Sequence, residues 1–380
     1  MQRILGVARH YDWGSPTVIP EFLGDPPDPD RTVAEVWFGA HEDAPSPVAG
    51  SDETLRDVAG DRLPFLVKLL APGRSVSLQV HPEPHLAEAG FREDEAAGIP
   101  RDDPRRRFKD PVHKPEMVFA LTPFTGLIGF RPVAECVRDL DRLDADLARR
   151  IRADLTGPGS DGERRRRALR TALDASADEV EGFAGGGLPW LADLAQQYPG
   201  DAGVAAAVLL RRFVLAPGEA VFVPSGMIHA YSSGLALEVM ANSDTVLRAG
   251  LTTKLVDVDA LMRCVDFDSE AEVEVARRHG AGRLYAPAVR EFALLDASAA
   301  SPEPVPLSLA GQQIALCVEG PVELVDGADR LELGPGQAAY LADATGLSMR
   351  GPGRLVLAGP GRCCVPPGTS PHDIRRTAVT

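Results

Sequence analysis

Apolar runs long enough to cross a membrane are missing: no stretch of the 380 residues approaches the roughly 20 needed to span a bilayer. Residues 1–10 also lack the apolar core of a secretory signal, so a cytoplasmic chain is expected. Cysteine is scarce. The five present, Cys136, Cys264, Cys317, Cys363 and Cys364, are odd in number and form no Cys-x-x-Cys pair, which argues against a disulfide framework and a thiolate zinc site. Any metal must then be held by nitrogen and oxygen. Positive charge is in deficit too. Forty Lys and Arg against 55 Asp and Glu give a net charge of -15, and such a surface repels nucleic acid and anionic lipid. A local cluster of cations in a cleft can still reverse the potential and admit a small anion. The long loops and acidic surface favour a monomer.

What is present is length and a change of texture. Cores rarely grow past roughly 250 to 300 residues, so 380 residues predict two or three domains. Short apolar runs separated by Gly and Pro up to Phe130 read as antiparallel strands and turns. Val133, Cys136, Val137, Leu140, Leu143, Leu147, Ile151 and Leu155 then recur at three- and four-residue steps, the pattern of one amphipathic helix. Gly157 to Gly162 interrupts it, and the run Arg164 to Arg167 reads as a solvated helix face. Strand texture returns after Leu209. The expected fold is mainly β with a helical insert: a discontinuous metal-binding domain over 1–130 and 210–265, a helical domain over 131–209, and a C-terminal domain over 266–380.

A repeat supports this plan. Leu70-Ala71-Pro72-Gly73, Leu215-Ala216-Pro217-Gly218 and Leu333-Gly334-Pro335-Gly336 each feed a short apolar or alternating run. Gln79-Val80-His81 follows the first copy, and Pro224-Ser225-Gly226-Met227-Ile228-His229 the second, at spacings that resemble the two halves of the cupin signature, a small jelly-roll barrel whose inward residues hold a metal. The third copy runs into Ala342-Asp343-Ala344 without a His, so the C-terminal jelly roll is expected to pack but bind no metal.

From Ser75 to His81 a period of two sends Val76, Leu78 and Val80 to one face and Ser75, Ser77, Gln79 and His81 to the other. Inside a barrel a polar stripe is costly unless each group has a partner, and one divalent ion serves an amide oxygen and an imidazole together. His229 supplies a second imidazole. Glu116 is the expected carboxylate, opening a strand-like run after Pro115, which forces extended backbone before it. His85 is the competing ligand candidate. Two imidazoles, a carboxylate and an amide oxygen suit Zn(II) better than iron, with Mn or Co as substitutes.

Five blocks in order between Tyr11 and Lys254 resemble the type I mannose-6-phosphate isomerases: Tyr11-Asp12-Trp13-Gly14-Ser15; Ala34-Glu35-Val36-Trp37-Phe38-Gly39-Ala40-His41; residues 65–82, with Lys68; Asp110-Pro111-Val112-His113-Lys114-Pro115-Glu116; and residues 224–254. Two positions depart from that family's pattern, Phe108 standing for a usual Tyr and Val112 for a usual Asn. The resemblance implies one Zn(II) per chain on Gln79, His81, Glu116 and His229. It implies that mannose 6-phosphate and fructose 6-phosphate interconvert by proton transfer through an enediolate. Arg248, Lys114 and Glu238 fall at catalytic positions, and Ser77, Lys254 and Trp13 are candidate substrate or phosphate contacts. The base is open among Lys114, Glu238, His85 and a metal-bound water. The charged stretch 92–107 reads as a solvated loop bordering the cleft. An iron-dependent cupin oxygenase and a non-catalytic sugar-binding cupin are the alternatives; Gln79 argues against the first, and the full ligand set against the second.

Overall fold

The computed structural model describes residues 1–361 except 61–62, 186, 272, 301–302, 310 and 345; Cys363 and Cys364 lie outside the described residues. Two antiparallel sheets form the metal-site barrel. The larger orders its strands Val273–Glu274, Ala220–Val223, Glu116–Ala120, Ala236–Ala241, Phe65–Leu70, Glu35–Phe38 and Val7–Arg9. The smaller orders Leu247–Gly250, Leu78–Val80, His229–Ser233, Phe124–Phe130 and Leu210–Leu215.

Alternation along these strands assigns every side chain to one of two environments. Phe65, Val67, Phe119, Leu237 and Val239 of the larger sheet pack against Tyr285, Leu294, Ile314 and Tyr340 of the C-terminal domain in one shared core. Their neighbours Lys68, Glu116, Val118 and Glu238 turn the other way, into the barrel. In the smaller sheet Leu78, Val80, Leu127 and Leu247 pack against the helical insert, which leaves Gln79 and Arg248 on the barrel side. The polarity of the barrel interior therefore follows from burial of both outer faces.

The insert comprises helices Val133–Leu140, Asp146–Thr156, Asp161–Leu173, Ala177–Ala184, Pro189–Gln197 and Ala202–Ala207. Two begin with capping boxes, Ser160 with Glu163 and Ser176 with Glu179. The single helix expected from Val133 to Leu155 is two, broken after Leu140, because Leu143 stays buried at the corner and preserves the apolar spacing across the break. The arginine run is only in part a solvated face: Arg166 is exposed and Arg164 and Arg167 are half-buried, but Arg165 is not. Arg165 is buried and donates to the carbonyl of Phe267 at 3.0 Å, and Arg166 donates to that of Met262 at 2.9 Å. Carbonyls in the last turn of the helix Val258–Cys264 and just beyond it thereby find donors, stapling the insert to the barrel.

The C-terminal domain is a second pair of sheets, seven strands against four, around its own core of Leu295, Leu324, Met349 and Leu357. Its large sheet includes the first strand of the chain: Gln2–Ile4 pairs antiparallel with Ala338–Leu341, Gln2 opposite Tyr340. All three Pro-Gly turns sit between consecutive strands; Gly218 at φ 85 and Gly336 at φ 77 occupy the left-handed region that a side chain would strain. Among the described residues no helix is long and apolar enough to cross a membrane.

Candidate metal centre and cleft

Three strands and one turn bring the predicted ligands together. Gln79 lies on Leu78–Val80, with His81 just beyond it; Glu116 opens Glu116–Ala120; His229 opens His229–Ser233 and pairs directly opposite Gln79. The turn at Gly226, held at φ 85, donates its amide to the carbonyl of His81 at 2.7 Å and so joins the two halves of the signature. His81, Glu116 and His229 are buried and their potential ligand atoms lie within 4.8 Å of one another. Among the described residues the C-terminal domain has no such cluster of His, Cys, Asp and Glu.

Hydrogen bonding fixes both imidazoles. Nδ1 of His81 lies 2.9 Å from the carbonyl of Thr245, and Nδ1 of His229 lies 3.0 Å from the carbonyl of Met227. A carbonyl only accepts, so each Nδ1 carries the proton and each Nε2 turns inward. Burial, opposed by the charge of Glu116, pushes the His81 imidazole down to about 4. At neutral pH its Nε2 is therefore a bare lone pair, and it is buried with no hydrogen-bond partner. It faces a Glu116 oxygen at 3.2 Å, while His229 Nε2 faces the other at 3.3 Å. Acceptors aimed at one another in a dry site require a cation between them, and a tetrahedral nitrogen-and-oxygen ion such as Zn(II) meets that requirement. The Gln79 amide nitrogen is 3.3 Å from His229 Nε2; a half-turn of the terminal amide exchanges this nitrogen for the ligating oxygen.

Around this centre lies a cleft of about 320 Å3. Lys114 reaches Glu116 at 3.0 Å. Burial raises the Glu116 carboxyl, but Lys114 and then His81 outweigh it and hold the group well below the ordinary carboxylate range. Tyr231 donates to the other Glu116 oxygen at 3.3 Å. Glu238 is buried 2.9 Å from Lys68, whose ammonium also lies 3.6 Å from Glu35. Burial and the charge of Glu116 raise the Glu238 carboxyl against the pull of Lys68. Lys68 was not among the candidate residues. Its signal was a lone cation in the otherwise apolar strand Phe65–Leu70, affordable only beside buried carboxylates.

Arg248 projects from Leu247–Gly250 into the cleft, with Trp13, Ser77, Lys109 and Lys254 also lining it. Arg248, Lys109 and Lys254 have no carboxylate partner among the described residues. Burial lowers Arg248; burial, Arg248 and Lys109 lower Lys254. Ser77 donates to Gln79 Oε1 at 3.2 Å, and Trp13 stacks on Tyr11 with centroids 5.7 Å apart. His85 does not join them: it is exposed on the helix Pro84–Ala96. That helix also corrects the reading of 92–107 as a solvated loop. Asp94 is fully buried and binds the Arg107 guanidinium and the amides of Arg107 and Phe108, and buried Arg106 donates to the carbonyls of Ile99 and Phe108. Phe108 itself packs in the apolar core beneath Gly90, where a ring needs no hydroxyl, and Val112 is surface-exposed.

Fold and centre together define a cupin metalloprotein with a two-histidine, one-carboxylate site and an amide beside it. Residues 1–133 match the family described as phosphomannose isomerase type I, catalytic domain. The mannose-6-phosphate isomerase of Escherichia coli (strain K12) is 35% identical over 94% of this chain and 98% of its own length. A zinc-bound mannose 6-phosphate isomerase superposes with TM-score 0.86 at 33% identity, covering 94% of this chain and 99% of that one. The apo enzyme from Salmonella typhimurium superposes with TM-score 0.85 at 32% identity, covering 95% and 99%. The chain belongs to the type I phosphomannose isomerase family.

Proposed function

We propose that this chain is a zinc-dependent aldose-ketose isomerase that interconverts mannose 6-phosphate and fructose 6-phosphate. The carrying observation is the buried Nε2 of His81, without a hydrogen-bond partner among the described residues, facing the Glu116 carboxylate beside a cleft lined by Arg248, Lys109 and Lys254. Gln79, His81, Glu116 and His229 would hold the ion, which as a Lewis acid favours negative charge on substrate oxygens.

The remaining work belongs to side chains. In the open-chain sugar the proton leaves C2, its electron pair forms the C1–C2 double bond, and the aldehyde oxygen becomes anionic. The O2 hydroxyl proton passes to O1, the electron pair left on O2 forms the new carbonyl at C2, and the C1–C2 double-bond pair takes a proton at C1, which yields the ketose. Glu238 is assigned the transfer between C2 and C1, because it lines the cleft beside the metal centre and because burial and the charge of Glu116 raise its carboxyl, which favours taking up a proton. Lys114 and Arg248 are assigned the enediolate charge, and burial strengthens their effect. Lys254, Lys109 and Ser77 are assigned the phosphate end, and Trp13 the wall beside it. Action as a monomer is part of this reading, supported by the acidic surface of charge -15. The free, buried thiols of Cys136, Cys264 and Cys317 support a reducing cytoplasm, and the charge of -15 keeps nucleic acid and lipid surfaces out of this reading.

The test is conversion of mannose 6-phosphate to fructose 6-phosphate by the purified protein, before and after a chelator and again with Zn(II). Activity lost and regained is expected. A protein that holds stoichiometric zinc and converts nothing would overturn the substrate, and one that never holds zinc would overturn the site.

A further inference from the structure

The end of the cleft that carries Lys254 is an irregular turn, and the chain does not form it cheaply. Leu251 is the one non-glycine among the described residues with a left-handed backbone, φ 54, and Gly250 before it has φ 138. A leucine in that region costs on the order of 1 kcal/mol, and persists only where the surroundings over-determine it. The surroundings here come from the helical insert. One oxygen of Asp201 accepts the amide of Leu251 at 2.8 Å, the other accepts that of Thr252 at 3.1 Å, and the first also caps its own helix through the amide of Gly203 at 2.7 Å. Contact is so close that a Cβ on Gly250 would sit 2.6 Å from Gly203 Cα, and one on Gly203 would sit 2.9 Å from Gly250 Cα. Neither backbone can retreat, so both positions require glycine.

We propose that Asp201 is a positioning residue that clamps the turn 250–254 and thereby aims Lys254 at the substrate phosphate. It touches no substrate itself. Arg248 does not depend on this clamp, because the ladder holds it: Arg248 lies opposite Gln79 and Leu247 opposite Val80. Loss of Asp201 therefore acts on the phosphate end and spares both the reacting end and the metal. The assignment of a phosphate rests on the isomerase reading above.

The experiment compares the full-length zinc protein with Asp201→Ala and Asp201→Asn. Expected for Asp201→Ala is a rise of roughly 10-fold in KM for mannose 6-phosphate and in the dissociation constant of inorganic phosphate, the scale of losing a charge-assisted hydrogen bond. kcat should stay within about threefold and zinc at one per chain. Asp201→Asn, which keeps one carbonyl acceptor, should fall between; if Asp201→Ala fails to fold, Asp201→Asn carries the test. Hydrogen exchange at the Leu251 and Thr252 amides should quicken in both. Unchanged KM and phosphate binding would overturn the inference, as would a fall in kcat at constant KM. If the unaltered protein binds phosphate but isomerises nothing, the reaction reading fails, while the phosphate and exchange arms still decide the role of Asp201.

Discussion

Arg248 stands directly opposite Gln79 in the antiparallel ladder between Leu247–Gly250 and Leu78–Val80, so an unpaired guanidinium and an amide ligand emerge side by side on the barrel face. Register alone places them there. The neighbours Leu247 and Val80 are committed to the opposite face by the helical insert, and a slip of one residue would expose both apolar groups to the barrel.

Arg248→Ala should therefore keep stoichiometric zinc and lose turnover, by roughly 100-fold or more if the guanidinium stabilises charge that develops only in the transition state. Zinc analysis beside steady-state kinetics reads both. Near-normal kcat in this variant would show that the arginine serves something other than the reacting centre.

Metal retention should fail in the ligand variants. His229→Ala and Glu116→Ala remove one of three converging groups, and the second also strips Lys114 of its carboxylate at 3.0 Å. Zinc binding stabilises the native state by about 4 kcal/mol when free metal is 1,000 times its Kd, so chelation should lower the unfolding temperature of the unaltered protein and leave these variants unmoved. Differential scanning fluorimetry with and without chelator is sufficient.

Breaking the buried triad should be costly. Lys68 lies between Glu238 and Glu35, all largely out of solvent. Lys68→Met leaves two carboxylates uncompensated, and removing one partner of a buried pair costs about 3 to 5 kcal/mol. Adding Glu238→Gln should restore part of that stability without restoring turnover. Denaturant unfolding of the single and double variants checks it, and additive losses would argue against the pairing.

Acid should reveal Asp244. Burial pushes its carboxyl up, but His41, a hydrogen bond with Asp43 and the charge of Lys114 outweigh that and hold it at about 2, below its ordinary 3.8. A depressed carboxylate contributes its stability above the unfolded value and loses it as pH falls through the folded one, here between 3.8 and about 2. The loss is on the order of 2 kcal/mol. Unfolding measured at pH 5 and pH 2.5 should show it, and Asp244→Asn should flatten the difference.

The metal centre was legible because each ligand sits in a contiguous motif whose local alternation or turn chemistry is visible: Gln79 and His81 on a two-residue period, Glu116 behind Pro115, His229 behind Gly226. The partners of those ligands were not. Thr245 holds His81 across 164 positions of sequence, and Lys68 meets Glu238 only through strand register. Nothing near Asp201 announces that a turn 50 positions later depends on it. Arg164 to Arg167 misled for a related reason: charge in a helix reads as solvent-facing until the carbonyls of Met262 and Phe267 appear beside it. Sequence spacing carries the period of an element, whereas the identity of what lies across from it is a property of tertiary assembly.

One pairing has a temporal meaning. Gln2–Ile4 finds its partner in Ala338–Leu341, so during synthesis this strand must wait for residues 5–337 to be made before its hydrogen bonds can form. At roughly 5 to 20 residues per second that delay is on the order of 20 to 70 s. The metal-site barrel, whose last strand is Val273–Glu274, can close before that pairing forms, and the later closure acts as a seam that laces Gln2–Ile4 to the C-terminal domain.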